Sequence, residues 1–286
     1  MDKKPDLITL SLGAGVQSTC LYLMACQGEL LPCPDVAIFS DTGWEPTEVY
    51  EHLEKLKAHG DIPINVVSAG NIRDDVVGYV TSWREDGSGW LRGQPPMYVR
   101  IPDEVSKMNN KAPDKGGYLW RQCTEKYKIK PIRDEIRRLL GYKKGKHVRK
   151  LAHQYFGISF DEMQRMKYSR VAWIENRYPL VDMRMSRAKC IEWLEKNGWY
   201  NVEKSACIGC PYHDNKMWRH MKNNRPGQWA DAVEFDKTMR DGPYPNTKGQ
   251  VYLHAEMIPL DQVDLSTLED NEQLSFLDEC EGMCGV

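Results

Sequence analysis

The first 68 residues of this 286-residue chain alternate between two hydrophobic periods. That alternation limits the fold more than any other feature. Asp6-Leu7-Ile8-Thr9-Leu10-Ser11-Leu12 is a short apolar run with β-branched members that ends at a Gly-rich turn, and it reads as a buried strand. Leu21, Leu23, Met24 and Ala25 follow at a spacing that suits a helix whose first turn holds Ser18. Val36-Ala37-Ile38-Phe39-Ser40 is a second buried strand, stopped by Asp41-Thr42-Gly43. From Thr47 to Ala58, Val49, Leu53 and Leu56 recur at helical spacing, and Ile64-Asn65-Val66-Val67 is a third strand. Strand, helix, strand, helix, strand in that order means a parallel sheet with helical crossovers. The expected fold class is α/β, a doubly wound parallel sheet with a mainly helical C-terminal region.

Beyond this block the pattern loosens. Residues 84–117 are rich in Gly, Pro and Asn and read as a long irregular segment, more often functional or mobile than inert in a compact domain. Tyr127–Leu140 looks helical, and Ala152–Ser159 and Ala172–Ile174 can supply further strands. Ser186 can cap a helix that runs to about Asn197 and closes at Gly198. Hydrophobic residues at 41% and charged residues at 28% exclude a collagen-like, coiled-coil or wholly disordered chain. No run approaches the ~18 apolar residues of a membrane-spanning helix. No signal-peptide pattern follows Met1-Asp2-Lys3-Lys4-Pro5, so a cytoplasmic protein without a membrane partner is expected.

The net charge of −2 hides an asymmetry. Arg121 to Lys150 holds twelve Lys and Arg against three acids, whereas Ala255 to Val286 holds nine acids and neither Lys nor Arg. A basic stretch that also carries motif residues suits an anionic partner, a nucleotide or a nucleic acid; a solvated basic helix face is the plain alternative. Nine cysteines in a reducing compartment point to metal binding or thiol chemistry rather than to a disulfide framework.

Ser11-Leu12-Gly13-Ala14-Gly15-Val16-Gln17-Ser18 links the first strand to the first helix. Small residues there let backbone N–H groups face a ligand, and the helix N-terminus adds partial positive charge, so the turn suits phosphate. A tight turn without a ligand is the alternative. It is neither a Walker A loop nor a dinucleotide fingerprint. Asp41-Thr42-Gly43 ends the next strand at the same carboxyl edge, where open parallel sheets carry their ligand sites.

The two turns resemble the adenine nucleotide α-hydrolase, or PP-loop, superfamily. More narrowly they look like its phosphoadenosine-phosphosulfate (PAPS) reductase branch, in which an aromatic and an acid follow Asp-Thr-Gly, here Trp44 and Glu45. Gly13-Ala14-Gly15-Val16-Gln17-Ser18 aligns with the superfamily's Ser-Gly-Gly-x-Asp-Ser loop, with Gly13 in place of its first Ser, Gln17 in place of its Asp, and Ser18 retained. The resemblance implies an adenine nucleotide, ATP or PAPS, with Mg2+. Its holders would be Ser11, Gly13, Ala14, Gly15, Gln17, Ser18, Asp41, Thr42 and Gly43, with Asp41 also a catalytic candidate. It further implies a nucleotide-binding α/β domain over residues 1–215 and a helical extension with an acidic, cysteine-bearing tail over 216–286.

Cys207-Ile208-Gly209-Cys210 is a Cys-x-x-Cys, open to reading as half a zinc site (His213 being a possible further ligand), a redox pair or a cluster loop. Cys123 stands in Arg121-Gln122-Cys123-Thr124-Glu125-Lys126-Tyr127-Lys128-Ile129-Lys130-Pro131-Ile132. That run resembles the segment of adenylylsulfate (APS) reductases in which a Cys-Cys pair and a later Cys-x-x-Cys hold a 4Fe–4S cluster. Gln122 replaces the first Cys of the pair, so three ligands carry over: Cys123, Cys207 and Cys210. The fourth could be Cys190 or a tail cysteine, or one iron stays open as in the superfamily's tRNA thiolation enzymes. Cys20, Cys26 and Cys33 read as small buried hydrophobes.

The chain ends Asp278-Glu279-Cys280-Glu281-Gly282-Met283-Cys284-Gly285-Val286, which resembles the Glu-Cys-Gly-Leu tail of the sulfonucleotide reductases and makes Cys284 and Cys280 candidate nucleophiles; an inert terminus is the alternative. Gly157-Ile158-Ser159 with Asp161, Glu162 and Arg165 resembles a Gly-Ile-Arg-type turn of the superfamily. Arg121, Lys126, Arg133 and Arg165 are candidates for binding a substrate anion, with Lys167 and Arg170 comparable. Three functions fit these residues. The first is an iron–sulfur-dependent sulfurtransferase that adenylates a nucleic-acid or small-molecule substrate with ATP and then thiolates it. The second is a PAPS or APS reductase that releases sulfite, and the third a non-catalytic nucleotide-binding iron–sulfur protein in a nucleic-acid modification or defence complex. Expected partners are an adenine nucleotide, a sulfur- or electron-donor protein, a nucleic acid and a second copy of the chain.

Overall fold

Alternation along the first strand sorts its side chains onto two packed faces, since successive side chains of a strand point to opposite sides. In β1 (Leu7–Leu12), Leu10 and Leu12 enter one apolar core while Thr9 and Ser11 are buried on the other side. The chain continues through α1 (Val16–Cys26), β2 (Val36–Asp41), α2 (Thr47–His59), β3 (Ile64–Ser68) and α3 (Ile72–Asp86). The short strands β4 (Tyr98–Arg100) and β5 (Gly117–Tyr118) precede a π-helical turn at Glu125–Ile129 and α4 (Lys130–Leu139). Next come β6 (Ala152–Phe156), β7 (Ile174–Arg177), α5 (Pro179–Asp182) and α6 (Arg187–Lys196). The C-terminal part holds α7 (Asn215–Asn224), α8 (Pro226–Arg240) and β8 (Gln250–Tyr252). The structure, a computed structural model, describes residues 4–87, 93–101, 117–245 and 247–266.

The larger sheet is parallel throughout, in the order β3-β2-β1-β6-β7. The chain winds outward from β1 to β3, then returns to β6 on the other side of β1. The gap between the carboxyl ends of β1 and β6 is therefore the point where winding reverses, the place where such sheets bind ligands. Ser11 near the end of β1 lies beside Ile38 of β2 and Phe156 of β6.

Helices cover both faces. α1 is buried from Val16 to Ala25 and packs with Leu53 and Leu56 of α2 and Leu194 of α6 against Leu10, Leu12, Ala37 and Phe39. A helix apolar on every side belongs inside a protein, and α1 is the most enclosed helix of the fold. The opposite face packs Ile132 and Ile136 of α4 on Val36 and Ile38 of β2. The expected α/β class, the doubly wound sheet and the first three strands are observed. The helix expected from Tyr127 opens with the π-helical turn, and the strands expected near 152–159 and 172–174 run over 152–156 and 174–177.

A second core forms at the carboxyl edge. β4 pairs antiparallel with both β5 and β8. Val99 and Val251 of this small sheet and Leu253 just after it pack with Val76 and Val80 of α3, Trp218 of α7 and Phe235 of α8. Trp44, Tyr127 and Ile208 belong to the same core. This layer brings the cysteine segments to the large sheet.

Candidate functional site

Gly43 starts the site. Its φ of +72° is a conformation that side chains disfavour, and a Cβ there would lie 2.9 Å from the Asn71 Cα. Asp41 Oδ1 accepts from the Gly43 N–H at 2.7 Å and from the Tyr50 hydroxyl at 2.8 Å. Asn71 Nδ2 donates to the Gly43 carbonyl while its Oδ1 caps α3. The expected nucleotide-binding turn Asp41-Thr42-Gly43 is thus held between β2 and α3, with Asp41 closing it.

The Cys-x-x-Cys is strapped to that turn. The Ile208 N–H donates to the Trp44 carbonyl at 2.9 Å, and the Gly209 Cα lies so close to Trp44 that a Cβ would fall 2.0 Å from its ring. Cys207 Sγ is 3.2 Å from Thr42 Oγ1 and 3.6 Å from Glu45 Oε1. Thr42 Oγ1 donates to Glu45 Oε1, and Lys128 Nζ stands 3.8 Å from the same oxygen. Glu45 and Lys128 are both buried, which makes their pairing necessary: an isolated charge there would be strongly disfavoured. Burial, then the Glu45 carboxylate, pushes the Cys207 thiol well above the usual cysteine range, and the nearby Lys128 ammonium opposes that shift.

Cys123, Cys207 and Cys210 line one cavity, with Thr42, Lys128, Arg121 and Tyr212 also on its wall. The three cysteines grouped by the family resemblance thus meet although Cys123 precedes the π-helical turn and Cys207 and Cys210 follow α6. None of the three forms a disulfide. Among the described residues no three His, Cys, Asp or Glu side chains are already spaced to hold a metal ion. The donor set nevertheless suits a soft centre, since it is all sulfur, and the adjoining Glu45 Oε2 is buried without a hydrogen-bond partner. Cys190 is elsewhere: it is fully buried beside Cys20 in the core between α1 and α6. It does not supply a further ligand here. Cys280 and Cys284 lie outside the described residues.

The Gly-rich loop is at the same edge but turned inward. Ala14 takes φ +59°, and Gln17 and Ser18 are buried. Ser18 Oγ accepts from the Gly13 N–H at 3.2 Å and donates to the Gly15 carbonyl at 3.3 Å, so it staples the loop to itself. Gln17 joins Glu162 (3.1 Å) and Arg187 (2.8 Å), and Glu162 pairs with Arg165 at 2.9 Å. No side chain caps the N-terminus of α1 and no acid stands in its first turn, which leaves the helix end electrically suited to an anion. Gly157, after β6, approaches Ser18 so closely that a Cβ would lie 2.7 Å from its backbone nitrogen.

Beside this edge a pocket opens at the reversal point, lined by Ser11, Arg133, Gln154, Phe156, Arg170 and Asn176. It shares Ile129 and Arg170 with a cleft of about 810 Å³, and that cleft shares Arg121, Thr124 and Tyr212 with the cysteine cavity. Of the expected anion binders, Arg121 and Lys126 line the cleft and Arg133 the pocket. Arg133 also lies 3.6 Å from Glu125, and Lys126 is 2.6 Å from Asp75. Arg165 stands apart, with Glu162 and the Gly-rich loop. Lys128 was not singled out as a site residue from sequence, because in a run this basic nothing distinguishes the one lysine that is buried.

No protein-family model matches the sequence, and no curated protein matches it. Among solved structures the chain is similar to the phosphoadenylyl-sulfate (PAPS) reductase from Candida auris in its phosphate complex. The two are 14% identical over 68% of this chain and 75% of that one, with a TM-score of 0.38. It is also similar to the U34-tRNA thiolase NcsA from Methanococcus maripaludis with its 4Fe–4S cluster, 12% identical over 82% of this chain and 72% of that one, again with a TM-score of 0.38.

Proposed function

We propose that the protein is an iron–sulfur-dependent sulfurtransferase that uses an adenine nucleotide. The observation that carries this reading is the single cavity shared by Cys123, Cys207 and Cys210, joined through Arg121, Thr124 and Tyr212 to a cationic cleft at the carboxyl edge of the sheet. Those three cysteines would hold a 4Fe–4S cluster, which supplies a soft site for sulfur. Around it the chain's own residues divide the work. Thr42 and the Glu45–Lys128 pair orient Cys207 and balance its charge. The pocket at the strand reversal, with Arg133, receives the nucleotide.

In the reaction, a carbonyl oxygen of the acceptor attacks the α-phosphorus of ATP and pyrophosphate leaves. Hydrosulfide from a donor protein then adds at the activated carbon, AMP departs with the oxygen, and a proton is released. The test is a paired incubation of anaerobically purified, iron-reconstituted protein, one arm with ATP and a nucleic-acid acceptor (total cellular RNA, then DNA), the other with PAPS and a dithiol reductant. Pyrophosphate release with ATP is the expected result; sulfite release from PAPS with no turnover of ATP would replace this reading with that of a sulfonucleotide reductase.

A further inference from the structure

The large cleft beside the cysteines has features that a small nucleotide does not require. Its volume is about 810 Å³, and five cations line it: Arg121, Lys126, Lys130, Lys167 and Arg170. Among the described residues Glu125 is the one acid on its wall, and Lys126 is tied to Asp75. Lys130, Lys167 and Arg170 are exposed and form no ion pair with any described residue. Charges left unneutralised along one wall attract a partner that carries several negative charges in a row.

Aromatic faces stand among these cations. Trp120 lines the cleft at 80% exposure and Tyr118 at 45%, while Tyr168, between Lys167 and Arg170 in sequence, is 97% exposed. Tyr118 and Tyr212 lie 6.2 Å apart with their rings tilted by 35°, and the Arg121 guanidinium sits 5.5 Å from the Tyr212 centroid. Leaving a tryptophan face in water is unfavourable, and a row of acidic side chains by itself supplies no flat group to cover it. Unpaired nucleobases do, at the spacing of a charged backbone.

We propose that this cleft binds a single-stranded nucleic acid, with the phosphates on Lys130, Lys167 and Arg170 and a base stacked on Trp120. Because the cleft borders the cysteine cavity, sharing Arg121, Thr124 and Tyr212 with it, the bound strand is the acceptor of the sulfur. That last assignment rests on the sulfurtransferase reading; the binding itself does not.

The experiment measures binding of fluorescein-labelled 15-residue single strands, RNA and DNA, to the full chain without added nucleotide. Unlabelled duplex, inorganic polyphosphate and polyglutamate serve as competitors. Either single strand should bind, with an affinity that falls with salt at a log–log slope of about −2 to −3.5 for three to five phosphate contacts. Trp120→Ala should weaken binding at least about fivefold and Trp120→Phe should restore most of it. The double variant K130E/R170E should reduce the salt slope, with an unchanged circular dichroism spectrum showing that it is folded. Binding that ignores Trp120→Ala, or polyphosphate or polyglutamate competing as well as the strand, overturns the proposal. Pyrophosphate release is read in parallel samples of the same protein given both the strand and ATP. Strand binding without ATP turnover would remove the sulfurtransferase reading and leave the cleft assigned, whereas turnover without strand binding would do the reverse.

Discussion

Thr42 Oγ1 lies 3.2 Å from Cys207 Sγ, so the end of β2 touches the Cys-x-x-Cys across 165 residues of chain. The same hydroxyl donates to Glu45 Oε1 at 3.0 Å. Replacing it with a methyl in Thr42→Val leaves a buried carboxylate short of a donor, at a cost of about 1–3 kcal/mol. Urea unfolding should show that loss, and Thr42→Ser should recover it. Equal stability of the valine variant and the parent would mean that the hydroxyl does not support the site.

The cysteines divide by location. Cys123→Ala, Cys207→Ala and Cys210→Ala should each lower bound iron and acid-labile sulfide after anaerobic reconstitution. Cys190→Ala, in the core between α1 and α6, should keep both and cost about 1 kcal/mol of stability. Full iron content in any of the first three variants, or one equivalent of zinc without iron, would contradict the assignment.

Lys128 and Glu45 are a buried pair 3.8 Å apart. Removing one partner strands the other charge, so Lys128→Met should cost about 3–5 kcal/mol. The double variant K128M/E45Q carries neither charge and should be distinctly more stable than K128M alone. A double-mutant cycle by denaturant titration reads the coupling directly.

Gly157 gives β6 its close approach to α1. A methyl group added there meets the Ser18 backbone at 2.7 Å, where no flexible side chain can yield. Gly157→Ala should therefore destabilise the protein by about 1–3 kcal/mol. It should also weaken ATP binding measured by calorimetry, because the Gly-rich loop must shift. Unchanged affinity would separate that loop from the nucleotide.

His52 supplies a pH dependence. Burial, then Lys55, lowers its pKa to about 4, and its Nε2 lies 2.9 Å from Thr19 Oγ1. The unfolded chain takes up a proton near pH 6.5 that the folded chain resists until about pH 4. Stability from this group is therefore complete above pH 6.5 and falls as the pH drops toward 4, by about 2–3 kcal/mol in all. Urea midpoints at pH 7.5, 6 and 5 should show the decline, and His52→Asn should flatten it.

The sheet was legible because its determinants are local. Three apolar runs of strand length, each ended by Gly or Asp-Thr-Gly and separated by helical spacing, allow little except a parallel α/β order. Ser186 was readable as a helix cap for the same reason, and it accepts from the Lys189 N–H as a cap should. Ser18, singled out for a phosphate contact, has its hydroxyl hydrogen-bonded within the loop, accepting from the Gly13 N–H and donating to the Gly15 carbonyl.

What the sequence determined by itself was the winding of the sheet and the residue types of the site, since periodicity, turn chemistry and cysteine spacing act over a few residues. Tertiary structure decided which distant residues meet. Only the packing of α3, α7, α8 and the small sheet over the carboxyl edge brings Cys123 to Cys207 and Cys210, buries Lys128 on Glu45 and consigns Cys190 to another core. Long-range contacts of this kind depend on how whole apolar faces cover one another, and no short stretch of sequence encodes that.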